Sequence, residues 1–333
     1  MILTSDYLWY KLFNTKGLGI KSLHKIYNVL TQQNMSVVDL FKLDSERFNS
    51  IFSSYNKGKF SSINYDNITS NDESKIYLNY QKIKENGFRI ISLEHQEYPQ
   101  NVKEKMQDDA PPILFCKGYI PLLNTLGISI VGSRDVDEFS VLLTKSIAGS
   151  LALKGYNVIS GYAKGVDANA HLGALENEGT TTVILSYGIN YLSIRKEFRQ
   201  VDWERNTLFV TQFAPYEKFS GRNAMLRNKL VCSMSKAVVV ISSGPEIDSN
   251  GKMSGTFDAG KTALLMKIPL FVLSPSLFEK VPQGNIDLIN KGGIEIKNGN
   301  DIISTFENNI SNNSDEQLAY SKKNSRNSQF NLF

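Results

Sequence analysis

Cysteine, histidine and tryptophan are all scarce in this chain of 333 residues, with two, three and two copies. Cys116 and Cys232 sit in apolar stretches, and neither belongs to a CxxC pair. A disulfide framework and a thiolate zinc site are therefore poor readings, and a reducing compartment fits. No apolar run reaches the roughly 20 residues of a membrane helix. The opening stretch Met1–Tyr10 lacks the basic-then-apolar layout of a secretory signal, so the expectation is a cytoplasmic protein without a membrane partner. Charge of one sign is also short. Lys and Arg number 37 against 33 Asp and Glu, a net of +4. That balance permits a nucleic-acid partner but confines it to a local groove rather than the whole surface. The dinucleotide fingerprint GxGxxG and the phosphate loop GxxxxGK[ST] are both missing. No cofactor, metal or catalytic nucleophile–base pair is expected.

What is present is ordinary for a folded protein: 41% apolar and 21% charged residues, enough for one large domain plus a smaller one. Residues 1–65 read as a small helical domain. Leu8, Leu12 and Phe13 share helical spacing, and Leu23, Ile26, Tyr27 and Leu30 line one face of a second helix. Residues 53–71, rich in Ser, Asn, Tyr and Lys, read as a linker. Over 70–300, apolar runs alternate with helical patterns. The runs are Phe88–Leu93, Leu126–Val131, Tyr156–Ser160, Thr181–Leu185, Leu208–Thr211, Ala237–Ile241 and Leu270–Leu273. Ser70 to Glu73 has capping-box form, opening a helix that ends at Gly87. Further helices are expected over 138–153, 167–177, 193–202, 222–235 and 257–267. Continuous apolar strands between helices predict an α/β fold with a Rossmann-like, doubly wound, mainly parallel sheet. Ligands on such sheets bind at the carboxyl ends of the strands. Residues 305–333 are Asn/Ser-rich and read as a disordered tail.

Four segments placed after strands carry the chemistry. Gly132-Ser133-Arg134 offers an open backbone, a hydroxyl and a guanidinium to a phosphate; a tight turn with an exposed arginine would read the same. Ser160-Gly161-Tyr162-Ala163-Lys164-Gly165 opens a helix whose first amides and dipole favour an anion. Within it Asp167 reads as an N-cap, and His171 as a structural hydrogen-bonding group rather than a general base. Arg222, Arg227 and Lys229 form a basic trio on one helix, which is either a solvated face or a phosphate grip. Ser254-Gly255-Thr256 starts another helix and describes an anion seat or a plain surface loop. Together the four line one sheet edge with amides, hydroxyls and cations, a surface suited to a phosphodiester chain or a nucleotide.

These residues, in this order, resemble the DprA/Smf DNA-processing family over roughly residues 88–296. The likeness begins with Glu97-Tyr98-Pro99 and Ala110-Pro111-Pro112 through Gly118. It continues through Gly132-Ser133-Arg134, the block Ser160–His171, the segment Thr211–Pro215, Arg227-Asn228-Lys229 and Ser254-Gly255-Thr256. The resemblance implies a non-enzymatic homodimer that binds single-stranded DNA and hands it to a RecA-type recombinase during natural transformation. Matched by motif, the DNA-contacting positions would be Gly132, Ser133, Arg134, Ser160, Gly161, Lys164, Gly165, Arg227, Asn228 and Lys229, with Ser254, Gly255 and Thr256 at the family's third loop. Tyr162 and Tyr187 are candidate base stackers, with core packing as the alternative use. Lys16-Gly17-Leu18-Gly19-Ile20 resembles a helix-hairpin-helix turn. No winged helix is expected after residue 300, a departure from many relatives. The segment from Asn223 to Lys229 resembles divergent members found in mobile or defence settings. Two other readings stay open: a sensor of a nucleotide signal, and a nucleotide phosphoribohydrolase. The hydrolase pattern needs a Glu where this chain has Ala259, with Asp258 one residue away. The last residues, Gln329 to Phe333, resemble the pentapeptide that docks on the replicative sliding clamp through residues such as Gln329, Leu332 and Phe333.

Overall fold

The computed structural model describes residues 4–53, 61–69, 73–200 and 203–306. The helix start at Ser70 to Asp72, the tail from 307 and the pentapeptide at Gln329, Leu332 and Phe333 lie outside the described residues. Six helices come first: α1 (Ser5–Phe13), α2 (Ile20–Gln32), α3 (Val37–Leu40), α4 (Ser45–Phe52), α5 (Tyr65–Thr69) and α6 (Glu73–Glu85). Part of the stretch read as a linker is thus helical, because Ile63 and Ile68 find apolar cover and are buried. The rest alternates: β1 (Arg89–Ser92), α7 (Gln100–Met106), β2 (Ile113–Gly118), β3 (Gly127–Val131), α8 (Glu138–Leu153), β4 (Asn157–Ser160), α9 (Val166–Leu175), β5 (Thr181–Ile184), α10 (Trp203–Asn206), β6 (Thr207–Thr211), α11 (Gly221–Ser233), β7 (Ala237–Val240), α12 (Gly255–Leu265), β8 (Leu270–Leu273), α13 (Gln283–Asn290) and β9 (Ile294–Ile296).

The strands form one sheet in the order β1-β2-β6-β5-β4-β3-β7-β8-β9. It is parallel from β6 through β9. The pairs β1–β2 and β2–β6 are antiparallel. The expected Rossmann-like, mainly parallel architecture is the one observed. Two strands exceed the expectation. β2 follows a Pro-Pro pair that masks its apolar run, and β9 has only three residues, two of them exposed. One expected helix is absent as such: residues 193–200 hold only a short 3-10 turn, Lys196–Gln200. Tertiary hydrogen bonds take its backbone instead, since the Ser193 carbonyl accepts from the Tyr162 hydroxyl and the Arg195 amide donates to it.

The central strands are buried on both faces, as their continuous apolar sequences require. Ile128, Ile130, Val158 and Val239 face Ile147, Ala148 and Leu151 of α8 and Ala170 and Ala174 of α9. On the opposite face Val131, Ile159, Val238 and Val240 meet Leu230 and Val231 of α11 and Phe257 and Ala263 of α12. Each of the Val, Leu, Ile and Phe side chains among them contributes about 1.5–3 kcal/mol on full burial. The period-2 alternation of β2 divides its duties: Leu114 and Cys116 join the α11/α12 face, while Ile113 and Phe115 join the cluster built by α1, α2 and α4. Polar ties add to that apolar contact. Glu94, just after β1, accepts from the Trp9 indole at 2.7 Å and the Val37 amide at 3.2 Å. The His24 Nε2 lies 2.7 Å from the Ala110 carbonyl oxygen.

The chain order fixes where a ligand fits. From β3 the strands run to one side through β4, β5 and β6, and then to the other through β7, β8 and β9. The connections leaving adjacent β3 and β7 therefore diverge, to α8 on one face and α12 on the other. The gap between them is the topological switch point at which such sheets bind ligands.

Candidate functional site

At this switch point lies an open cavity of about 520 Å³. The β3 end supplies Gly132, Ser133 and Arg134 to its wall; α11 supplies Met225, Arg227 and Asn228; the β7–α12 connection supplies Lys252 and Ser254, and the first turn of α12 Thr256.

Arg227 is the deepest cation. Its residue is 7% exposed. One guanidinium nitrogen donates to the Ile184 carbonyl at 3.2 Å and lies 3.7 Å from the Asp167 carboxylate. The Nε is buried and has no hydrogen-bond partner among the described residues. Burial lowers the pKa of this guanidinium, and Asp167 opposes the shift. An arginine remains charged under either influence. An incompletely paired buried cation beside a cavity is a costly arrangement that an anionic ligand would relieve.

The approach of Arg227 explains Gly161. A Cβ there would lie 1.4 Å from the Arg227 guanidinium nitrogen. Gly165 is demanded twice over: its φ is +75°, and a Cβ would sit 2.5 Å from the Ser133 carbonyl oxygen. That carbonyl accepts from the Val166 amide at 3.1 Å, so the β3 and β4 loops are fastened to each other. Asp167 departs from its reading as an N-cap. The N-cap of α9 is Gly165, and the Asp167 carboxylate accepts from the Ala163 amide at 3.3 Å while facing Arg227.

On the far wall, Ser254 caps α12 by accepting from the Phe257 amide at 3.2 Å. The amides of Gly255 and Thr256 are among those a helix cannot pair internally. Asn228 orients this helix start by donating to the Gly255 carbonyl at 2.9 Å and to Asp258 at 3.1 Å. The helix dipole adds partial positive charge at the same point. Of the carboxylates in the wall, Asp248 is occupied by the Asn250 and Lys252 amides, at 2.9 and 2.8 Å.

The other residues singled out in the sequence fall into distinct places. Ser160 is fully buried beneath the cavity, its hydroxyl donating to the Ile130 carbonyl at 2.6 Å. The Ser133 hydroxyl donates to the Asp135 carbonyl within its own loop at 2.8 Å. Lys164 is exposed and does not line the cavity. The basic trio is split: at about 100° per residue, Arg222 and Lys229 share one side of α11 while Arg227 turns away. Lys229 instead pairs with Asp109 at 3.4 Å. Tyr162 is buried and packs against Phe198 and Phe209. Tyr187 is partly buried, and burial pushes its pKa up to about 12. His171 is completely buried. Its Nε2 faces the Gly161 carbonyl at 2.6 Å and its Nδ1 the Thr181 hydroxyl at 2.6 Å. Burial pulls its pKa down to about 4. The ring is neutral near pH 7 with its proton on Nε2, because a carbonyl oxygen can only accept.

Two further residues shape the site. Arg195 braces the β4 loop from outside: its guanidinium lies over the Tyr162 ring at 4.4 Å and donates to the Ala163 carbonyl at 3.1 Å and to the Tyr162 carbonyl. It was hidden in a stretch with helical spacing. Phe219 lines the cavity with 53% of its surface exposed, under the Arg134 guanidinium at 5.7 Å. An aromatic in a turn-rich segment ahead of Arg222 was the only available signal. In the position where the hydrolase pattern needs a Glu, Ala259 lines the cavity; Asp258 does not, and is held by Asn228.

A mainly parallel α/β sheet with a cavity at its switch point defines a Rossmann-like protein as the class. Residues 89–307 match the profile of the family described as DNA recombination-mediator protein A, and the chain belongs to that family. It is 25% identical to the DNA processing protein DprA of Bacillus subtilis over 221 residues, which cover 66% of this chain and 71% of that protein. To DprA of Streptococcus pneumoniae it is 26% identical over 238 residues, 71% of this chain and 79% of that one. The solved structure of the pneumococcal protein covers 91% of this chain and 98% of its own, at a TM-score of 0.71 and 22% identity. That of DprA from Helicobacter pylori, described for its single-stranded DNA binding mode, covers 67% of this chain and 97% of its own, at a TM-score of 0.55 and 26% identity. The family is one of recombination mediators, in keeping with the sequence reading of a non-enzyme. Among the described residues, no helix is long and apolar enough to cross a membrane.

Proposed function

We propose that this chain binds single-stranded DNA without sequence preference and passes it to a recombinase during DNA uptake or recombination. The observation that carries this reading is Arg227, a nine-tenths buried and incompletely paired cation in the wall of the cavity that the start of α12 also lines. A phosphodiester would complete the hydrogen bonding of Arg227 and the Gly255 and Thr256 amides together. Arg134 extends the cationic track to the mouth, and Phe219 gives an exposed ring for a base. Cations along the backbone with aromatic stacking are what sequence-tolerant strand binding requires. The single-stranded DNA binding described for the Helicobacter pylori relative supports the same reading.

A labelled oligonucleotide titrated by fluorescence anisotropy across salt tests it. Affinity should fall with log salt at a slope of about −0.7 per phosphate neutralised. Arg134→Glu combined with Arg227→Gln should lower affinity by at least about tenfold, as expected for losing hydrogen bonds to charged groups worth about 1.5–3 kcal/mol each. A flat salt profile, or unchanged affinity in the double variant, sinks the assignment. Homodimerisation, a cytoplasmic location, a RecA-type partner and a role in natural transformation belong to this proposal. So does docking of the residues ending in Leu332 and Phe333 on a sliding clamp, which deleting those two residues should abolish.

A further inference from the structure

The cavity offers more than a track for a continuous backbone, because its parts match a single nucleotide. Its volume, about 520 Å³, lies within the roughly 300–1,000 Å³ typical of small-molecule sites. One end offers a phosphate seat: the first amides of α12 and the guanidinium of Arg227, of which one terminal nitrogen is paired, with Ile184 and Asp167. The helix start alone would mean little. Arg227 is the independent observation, since it is a nine-tenths buried donor in the same wall. At the mouth stands Phe219, exposed and backed by Arg134, a flat apolar face for a base. Met253, also in the wall, adds a second exposed apolar surface, 54% accessible, tied to Ile247 by a single antiparallel bridge.

We propose that a free nucleoside 5′-monophosphate binds this cavity, with its phosphate on Arg227 and the α12 amides and its base on Phe219, in competition with single-stranded DNA. The proposal rests on the strand-binding reading, because both ligands use one seat. A terminal nucleotide of a strand and a free mononucleotide share this chemistry. Strand-degrading reactions release the free form, so occupancy of the seat would answer to ongoing DNA breakdown.

The experiment is a competition. Labelled oligonucleotide is bound to the full chain, and a deoxynucleoside 5′-monophosphate, the matching nucleoside or inorganic phosphate is then titrated in. A parallel calorimetric titration gives the stoichiometry for the monophosphate. The expected result is one monophosphate per cavity and complete displacement of the strand, with inorganic phosphate at least about fivefold weaker, as loss of roughly 1 kcal/mol of stacking would give, and the nucleoside at least about tenfold weaker for want of the phosphate's hydrogen bonds to charged groups. Phe219→Ala should erase the advantage over inorganic phosphate. This exposed position tests the idea without disturbing the core, should Arg227→Gln fail to fold. Strand binding that resists saturating monophosphate overturns the proposal and leaves the strand-binding reading standing. Equal displacement by inorganic phosphate, with no effect of Phe219→Ala, also overturns it, by reducing the cavity to a bare anion seat. Failure of both oligonucleotide and monophosphate to bind removes the proposal together with the reading beneath it.

Discussion

Replacing Asp167 by Asn should make the free protein less stable and at the same time a better binder. The carboxylate lies 3.7 Å from the Arg227 guanidinium, with both side chains under 10% exposed. At an effective dielectric of about 20, two unit charges at that separation attract by roughly 4 kcal/mol. Removing one partner of a buried pair leaves an uncompensated charge, and such losses run at about 3–5 kcal/mol. The Asn oxygen can still accept from the Ala163 amide, so the change isolates the charge. The Ile184 carbonyl continues to serve Arg227, which points to the lower end of the range, about 3 kcal/mol. For a chain of this size that is a fall in Tm on the order of 4–6 °C. An incoming phosphate then takes over the role of the missing carboxylate, so oligonucleotide affinity should rise several-fold and the ligand should recover more Tm in the variant than in the wild type. Thermal denaturation with and without oligonucleotide, and an anisotropy titration, measure both signs. A Tm within about 1 °C of wild type, or affinity falling in step with stability, would refute the view that Asp167 holds Arg227 in trust for an anion.

Gly165→Ala should destabilise by at least about 2 kcal/mol, read from denaturant midpoints, because φ is +75° and the added Cβ meets the Ser133 carbonyl at 2.5 Å. His171 gives a pH signature. Its pKa falls from 6.5 to about 4 on folding, so between those values the unfolded chain binds a proton that the folded chain refuses. Stability contributed by the neutral ring is whole above pH 6.5 and is lost as pH falls through 4, by about 3 kcal/mol in all. His171→Gln should remove that share of the acid slope in pH-dependent unfolding; identical slopes would count against it. Lys229→Ala should shift stability by no more than about 0.5 kcal/mol, since its pair with Asp109 is solvated at 43% and 59% exposure.

The parallel core was legible because strands buried on both faces must be continuously apolar, and runs such as Ala237–Val240 are little else. β2 was harder, since Pro111 and Pro112 interrupt the pattern just ahead of it. β9 is three residues long with a mostly exposed face, so no period exists to detect. The loops at the strand ends were visible as glycine, hydroxyl and cation clusters, but their division of labour was not. Gly161 and Gly165 look like ligand-approach residues in sequence; in the fold their missing side chains make room for Arg227 and for the neighbouring loop. Lys229 and Arg227, two positions apart, were indistinguishable as letters and end on different sides of one helix. Arg195, inside a stretch with helical spacing, and Phe219, in a turn-rich one, showed no sign of their roles, because each acts through a contact with a residue far along the chain.

Arg227 has one more consequence. Fixed to the carbonyl that ends β5 and pressed against Gly161, its side chain surrenders its rotamers when the chain folds rather than when a ligand arrives. Surface lysines and arginines lose about 0.5–1.5 kcal/mol of freedom on being immobilised by a partner; this one has nothing left to lose. The proposed seat is therefore ready-made and correspondingly unforgiving. A lysine, with a single point of charge on a pliant stem, could not reproduce the planar fork at that depth.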